Sequence, residues 1–277
     1  MVEITAKSRC VVRPPVKWAG GKSRLLPQLE PLFPDKADCL VEPFVGGGAV
    51  FFHLQPPGAV LMDSNPELVN FYLVLRDEPD LLLADLKKHR NTIRYYYRLR
   101  SVNPGALTCV QRASRFLYLN KTAYNGLWRV NSRGLHNVPY GYYKNPRIVD
   151  EENLRGVHLL LKNATIMLAD FSRVLEIAAP GMFVYMDPPY HPLSKTASFT
   201  AYTAGSFDEG EQCRLAGVFR ELDRRGCRLM LSNSDTPFIR ELYRGYEIKV
   251  VTARRVINCR PDRRGPVTEL VIRNYDG

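Results

Sequence analysis

The sequence predicts an α/β protein: a parallel sheet with helices on both faces, interrupted by an inserted basic segment. Two observations carry the sheet. Short apolar runs of strand length alternate with longer runs of helical spacing, and four of the strand-like runs lead into an acid, at Glu42, Asp63, Asp170 and Asp187. A third carries the insert: from Leu86 to Val149 there is no Asp or Glu, but there are thirteen Lys and Arg.

The elements follow in order. "DCLVEPFV" (38–45) is an apolar strand that meets the contiguous glycines Gly46 to Gly48, and "AVFFHL" then begins a helix. "AVLMD" is a second strand, ending at Asp63, and "SNPELVNFYLVL" is a helix with Ser64 or Asn65 as its cap. After the basic segment come the helix "DEENLRGVHLLLKN", the strand "ATIMLAD" and the strand "MFVYMD". A polar loop, "HPLSKTASFTAYTAGSF", leads to the amphipathic helix "DEGEQCRLAGVFRELDRRG" and the strand "CRLMLSNSD". A short helix over 236–244, "YEIKVV", an Arg-rich loop and a last strand, "VTELVIRNY", close the chain. In an open parallel sheet, ligands bind beyond the carboxyl ends of the strands, so the four acids are expected to rim one crevice.

A chain of 277 residues, 45% of them hydrophobic, suffices for one large domain or two modest ones. No apolar run reaches membrane-spanning length, and "MVEITAKSRCVVRPP" lacks the apolar stretch of a signal peptide, so a cytoplasmic protein is expected. The cysteines at 10, 39, 109, 213, 227 and 259 form no CxxC pair and have no His at ligand spacing; they read as reduced packing thiols, with no metal site. The net charge of +11 comes entirely from the acid-free segment, since the remainder nets −2. Tyr95, Tyr96, Tyr97, Phe116, Tyr118, Tyr124, Trp128 and Tyr140 are interleaved with its cations. Cations mixed with flat rings suit a phosphate backbone with bases beside it; the alternative is a solvated face with core aromatics.

The glycine turn after Glu42 lets backbone approach a ligand and leaves amides free at a helix start. Its spacing is not that of a dinucleotide fingerprint. Asp63 sits where an acid could accept from ribose hydroxyls, or simply cap the following helix. Most specific is "MFVYMDPPY", a strand that ends in a carboxylate, two prolines and an aromatic ring.

Six segments in this order, "KWAGGKSRLLPQL" (17–29), "VEPFVGGGAVFF" (41–52), "LMDSN" (61–65), "YLNKTAYNGLWRVNSRGLHNVPYG" (118–141), "DPPY" (187–190) and "FTAYTAGSF" (199–207), together resemble the Dam-type DNA adenine-N6 methyltransferases over nearly the whole chain. The resemblance implies a Rossmann-like, S-adenosylmethionine-dependent methyltransferase sheet. It also implies a mainly helical target-recognition domain with a β-hairpin, giving a catalytic domain of 1–66 and 150–277 and a recognition domain of 67–149. The partner would be double-stranded DNA, and the protein a monomer of bacterial or phage origin.

On this resemblance the catalytic residues are Asp187, Pro188, Pro189 and Tyr190, which meet an adenine rotated out of the duplex. Adenine's amine is a poor nucleophile because its lone pair is delocalised into the ring. Asp187 and the Pro188 carbonyl would draw its two hydrogens and localise that lone pair, with Pro189 stiffening the turn and Tyr190 stacking on the base. The cofactor would lie among Trp18, Ala19, Gly20, Lys22, Pro43, Phe44 and Gly46, with Asp63 on the ribose, Asp170 and Phe171 beside the adenine, and Asp187 adjacent; Trp18 could equally be core. For DNA, Tyr124 and Asn125 would wedge into the duplex, Lys17, Leu127, Arg129 and Pro139 would face base edges, and Arg94, Arg98, Lys121 and Asn131 would contact phosphate. The implied target is GATC.

The chain departs from the family pattern at Gly141-Tyr142-Tyr143-Lys144, where relatives often carry Gly-Arg-Tyr-Lys, and at Trp128, where a smaller residue is expected. Two alternatives remain: a cytosine-N4 methyltransferase, and a DNA-binding regulator that kept the fold without turnover.

Overall fold

The computed structural model describes residues 11–131, 133–193, 207–254 and 266–276. The segment 199–207, apart from Phe207, and the Arg-rich loop, with Cys10 and Cys259, lie outside the described residues.

A 3₁₀ turn (Lys22–Arg24) and the short helix α1 (Leu26–Leu29) precede β1 (Cys39–Glu42), the glycine turn, α2 (Ala49–Leu54) and β2 (Gly58–Asp63). Helix α3 (Pro66–Asp77) starts on Asn65, whose side-chain oxygen accepts from the amides of Glu67 (3.0 Å) and Leu68 (3.1 Å), so of the two expected caps Asn65 is the one used. Helix α4 (Pro79–Leu86) leads into the basic stretch, which contributes α5 (Ile93–Ser101) and α6 (Cys109–Thr122), the last opened by a Thr108/Gln111 capping box. Then come α7 (Glu151–Leu161), β3 (Ala164–Leu168), α8 (Val174–Ile177), β4 (Phe183–Met186), α9 (Glu209–Arg224), β5 (Arg228–Ser234), α10 (Pro237–Leu242), β6 (Glu247–Arg254) and β7 (Pro266–Arg273).

The seven strands are ordered β3-β2-β1-β4-β5-β7-β6. Five run parallel, but β7 pairs antiparallel with both β5 and β6. The eleven residues 255–265 between β6 and β7 are fewer than the dozen or so that a parallel crossover needs, so these two strands pair antiparallel. The result is the expected Rossmann-like sheet, with one reversed strand, β7, lying just inside the edge strand β6.

Side chains alternate between two cores. Leu40, Leu61, Phe183, Tyr185 and Met230 point to one face, and Val41, Met62, Val184, Met186 and Leu231 to the other. Because both faces are covered, every residue of β4 is buried, which is why its sequence is continuously apolar. The first core runs on into the insert: Phe71 of α3 meets Phe116 of α6 (ring centroids 5.6 Å apart), and Trp128 packs between Phe116 (4.4 Å) and His136 (4.6 Å). Trp128 is thus the plug under the hairpin, which accounts for its size.

The expected hairpin is present. Bridges join Ala123 to Tyr140 and Val130 to His136, and backbone bonds run from Tyr124 N to Pro139 O (2.9 Å) and from Asn137 N to Arg129 O (3.0 Å).

Candidate active site

The chain leaves β1 for β2 and β3 on one side of the sheet, then returns to β4 on the other. The crevice between the carboxyl ends of β1 and β4 is therefore the topological switch point, and Glu42, the glycine turn and Asp187 lie there.

The turn is held from three sides. Asp63 Oδ2 accepts from Gly46 N (3.1 Å), its Oδ1 from Asn65 N (2.9 Å), and Tyr72 Oη donates to Gly46 O (2.9 Å). Trp18 lies over Gly46: a Cβ there, at φ +47°, would stand 2.6 Å from the indole Cδ1. Trp18, which could have been core alone, is half-buried and forms the wall of the turn. Asp63 is enclosed enough that burial raises its pKa to about 6 against its backbone hydrogen bonds.

Glu42, at the end of β1, is 2% exposed and has one carboxylate oxygen, Oε1, with no hydrogen-bond partner. Burial pushes its pKa to about 8, opposed by a hydrogen bond from the Phe51 amide and reinforced by the charge of Asp187. A buried acceptor left open calls for a donor or a cation.

Asp187 follows β4. Lys22 Nζ lies 2.6 Å from its Oδ1 and 2.7 Å from its Oδ2, and donates to Gly20 O at 2.7 Å. The lysine side chain is only 3% exposed and the aspartate 21%, so the carboxylate faces the crevice with the ammonium sealed behind it. Burial raises the Asp187 pKa, and Lys22 is the main influence opposing it. The same ammonium stands 4.9 Å from the centre of the Tyr190 ring, whose hydroxyl donates to Glu269 Oε2 (2.7 Å). Pro188 is buried, and the Pro189 carbonyl accepts from Gln212 Nε2 (2.8 Å).

The structure thus brings Trp18, Ala19, Gly20, Lys22, Pro43, Gly46, Asp63 and the Asp187–Tyr190 turn to one end of the sheet. Phe44 extends this group by stacking on Phe171 (5.3 Å, 28°), with Phe207 against both rings. Asp170 sits further out. Its exposed carboxylate is bound by Arg214 through two bonds (2.7 and 2.8 Å), which hold its pKa well below the usual range, while the guanidinium covers the Phe171 ring.

Most of the expected DNA-facing residues lie on the hairpin and α5, with Lys17 on the N-terminal segment and Lys121 on α6. Tyr124 is 52% exposed, and Asn125 beside it adopts a left-handed backbone. Leu127 is half-buried, whereas Arg129, Asn131 and Pro139 are exposed; Arg129 Nε donates to Asn137 Oδ1 (2.8 Å). Asn131 shapes the hairpin tip by accepting from Arg133 N (2.9 Å) and Leu135 N (3.1 Å). Arg94 and Arg98 are exposed on α5. Lys121 is instead largely enclosed, and burial, with the charge of Lys17, lowers its pKa to about 8. Tyr142, in the place of the missing arginine, is 71% exposed.

Several residues that support the site carried no signal of that role in the sequence. Asn120 is fully buried: its oxygen accepts from Lys17 N (2.8 Å), and its amide donates to Lys17 O (2.7 Å) and Gly126 O (3.3 Å). It therefore ties the N-terminal segment to the Tyr124–Gly126 turn. Tyr72, Glu269 and Gln212 also have their site partners far away in sequence; Tyr72 and Glu269 are polar groups in otherwise apolar runs, while Gln212 lies in the polar first turn of its helix.

Comparison with known proteins gives a consistent picture. Residues 18–257 match the family described as D12 class N6 adenine-specific DNA methyltransferase. The chain is 42% identical to the type II methyltransferase M1.LlaDCHI of Lactococcus lactis subsp. cremoris, with 99% of each chain covered. It is 44% identical to the type II methyltransferase M.MjaIII of Methanocaldococcus jannaschii, over 95% of this chain and 99% of that one. Against the DNA adenine methylase of Haemophilus influenzae the identity is 37%, over 94% and 92%.

Proposed function

Since the chain belongs to the D12 class of N6-adenine-specific DNA methyltransferases, whose methyl donor is S-adenosylmethionine, we propose that its target is the adenine of GATC in duplex DNA, extruded to meet Asp187. Membership decides adenine N6 over cytosine N4, and an enzyme over a regulator without turnover.

One observation carries the assignment of the site: a carboxylate faces the crevice at the switch point while a sealed ammonium is bonded to both of its oxygens. In this reading Lys22 keeps Asp187 ionised as an acceptor, and Asp187 takes one hydrogen of the adenine amine. With the Pro189 carbonyl engaged by Gln212, the Pro188 carbonyl serves as the second acceptor. The lone pair is then localised on N6, and Tyr190, oriented by Glu269, stacks on the base. The residues present fit the methyl donor, a cation at both its ammonium and its sulfonium: the orphan oxygen of Glu42 is an open acceptor for such a group, and Trp18, Phe44 and the Gly46 turn are suited to line its cradle. When bound, the donor supplies a methyl group on a sulfonium leaving group, so positioning provides most of the remaining acceleration.

Residues 67–149 act as the recognition part and 1–66 with 150–277 as the catalytic part, in an enzyme working as a cytoplasmic monomer. Tyr124 and Asn125 wedge, Lys17, Leu127, Arg129 and Pro139 read bases, and Arg94 and Arg98 hold phosphate. The GATC assignment is supported by the likeness of the hairpin to Dam-type sequences. Sequencing methylated DNA from cells expressing the chain tests it: N6-methyladenine confined to GATC is expected, and methylation in another context would overturn it.

A further inference from the structure

The turn that carries Asp187 poses a mechanical problem. Its two prolines have no N–H, so neither residue can be anchored through its amide. The Pro189 carbonyl is bound by Gln212 Nε2 (2.8 Å) from the first turn of α9. Gln212 Oε1 in turn accepts from Asn233 Nδ2 (3.0 Å), at the end of β5. Asn233 Oδ1 accepts from His191 N (3.1 Å) and Ser234 N (2.9 Å), and Ser234 Oγ donates to His191 O (2.6 Å). Gln212 and Asn233 are 0% exposed and Ser234 is 4% exposed. These bonds form a closed, buried chain from the catalytic turn to a helix and a strand of the scaffold.

We propose that Gln212, itself held by Asn233, is a positioning residue that fixes the carbonyl plane of Pro189 and, through the locked φ of that proline, the direction of the Pro188 carbonyl. The inference rests on the reading that the Asp187–Tyr190 turn receives the adenine. The argument is geometric. With φ of Pro189 set by its ring, only ψ separates the two carbonyl planes; Gln212 pins the Pro189 plane, and Asn233 holds the chain two residues on, at the His191 amide. Without the clamp, the turn keeps its residues and loses its aim. A displacement of about 1 Å at a reacting group can cost on the order of 100-fold in rate.

The test compares Gln212→Met, an unbranched side chain of similar volume without the amide, and Gln212→Asn, which keeps the amide but is too short to span both partners. Single-turnover methyl transfer to a duplex oligonucleotide is measured together with the KM for S-adenosylmethionine, DNA affinity and thermal unfolding. In the variants that fold, the rate is expected to fall roughly 10- to 100-fold, with KM and DNA affinity within about twofold of wild type. A wild-type rate in either folded variant, or a loss confined to KM, overturns the proposal. Asp187→Ala run in parallel separates the two claims: if it retains turnover the reading of the turn fails, and if it is inactive while the Gln212 variants are normal, only the clamp fails.

Discussion

Lys22 Nζ bridges both carboxylate oxygens of Asp187, at 2.6 and 2.7 Å, from a position almost sealed from solvent. Burial alone would favour the protonated acid, which accepts less well; the ammonium opposes that shift. Removing the charge with Lys22→Met is therefore expected to raise the Asp187 pKa further. The acid limb of the kcat/KM profile should then move to higher pH, with activity at neutral pH reduced. An acid limb at the wild-type position would show that Lys22 does not control Asp187.

Glu42 contributes a pH dependence of the opposite kind to an ordinary salt-bridged carboxylate. Its folded pKa of about 8 lies above its usual value of 4.5, so between these limits the native state binds more protons than the unfolded chain, and stability falls as pH rises. The slope approaches about 1.4 kcal/mol per pH unit at most. Urea unfolding of the cofactor-free enzyme from pH 5 to 8 should show this decline, and Glu42→Gln should flatten it; an unchanged slope in the variant would contradict the assignment.

Gly46 has both a left-handed backbone and no room for a side chain against Trp18. Gly46→Ala is expected to lower stability by more than about 1 kcal/mol and to weaken binding of S-adenosylmethionine, as measured by thermal unfolding and calorimetry. Wild-type affinity in the variant would show that the indole wall is not part of the cofactor cradle.

Arg129 and Arg94 are both exposed cations, but one sits on the hairpin and the other on α5. Arg129→Ala should relax discrimination at one base pair by about 1–3 kcal/mol. Arg94→Ala should weaken binding to all sequences alike and reduce the salt slope by about one. Competition binding on single-base-pair variants of the site at two salt concentrations separates these outcomes, and a uniform loss for Arg129→Ala would make it a phosphate contact.

The strands and helices were legible because apolar periodicity and turn residues are local signals. The acids at strand ends were legible because a parallel sheet collects its carboxyl ends on one edge. Pairing is not local, so the reversed β7 and the place of β6 at the sheet edge could not be read from the runs "YEIKVV" and "VTELVIRNY". The same holds for the polar supports of the site. Tyr72 reaches Gly46 across 26 residues of sequence, Glu269 reaches Tyr190 across 79, and Asn120 reaches Lys17 across 103. Lys121 shows the converse: its charge suggested a surface contact, and nothing in the local run signalled that α6 leaves it half-buried, where burial lowers its pKa.

The central claim is that the Asp187 carboxylate polarises the adenine amine, and the most direct measurement is the single-turnover rate of methyl transfer by Asp187→Ala on a duplex with one GATC site. A rate roughly 100- to 1000-fold below wild type is expected, in line with the loss of one preorganised electrostatic group, with folding and DNA affinity retained. A rate within a few-fold of wild type would contradict the account.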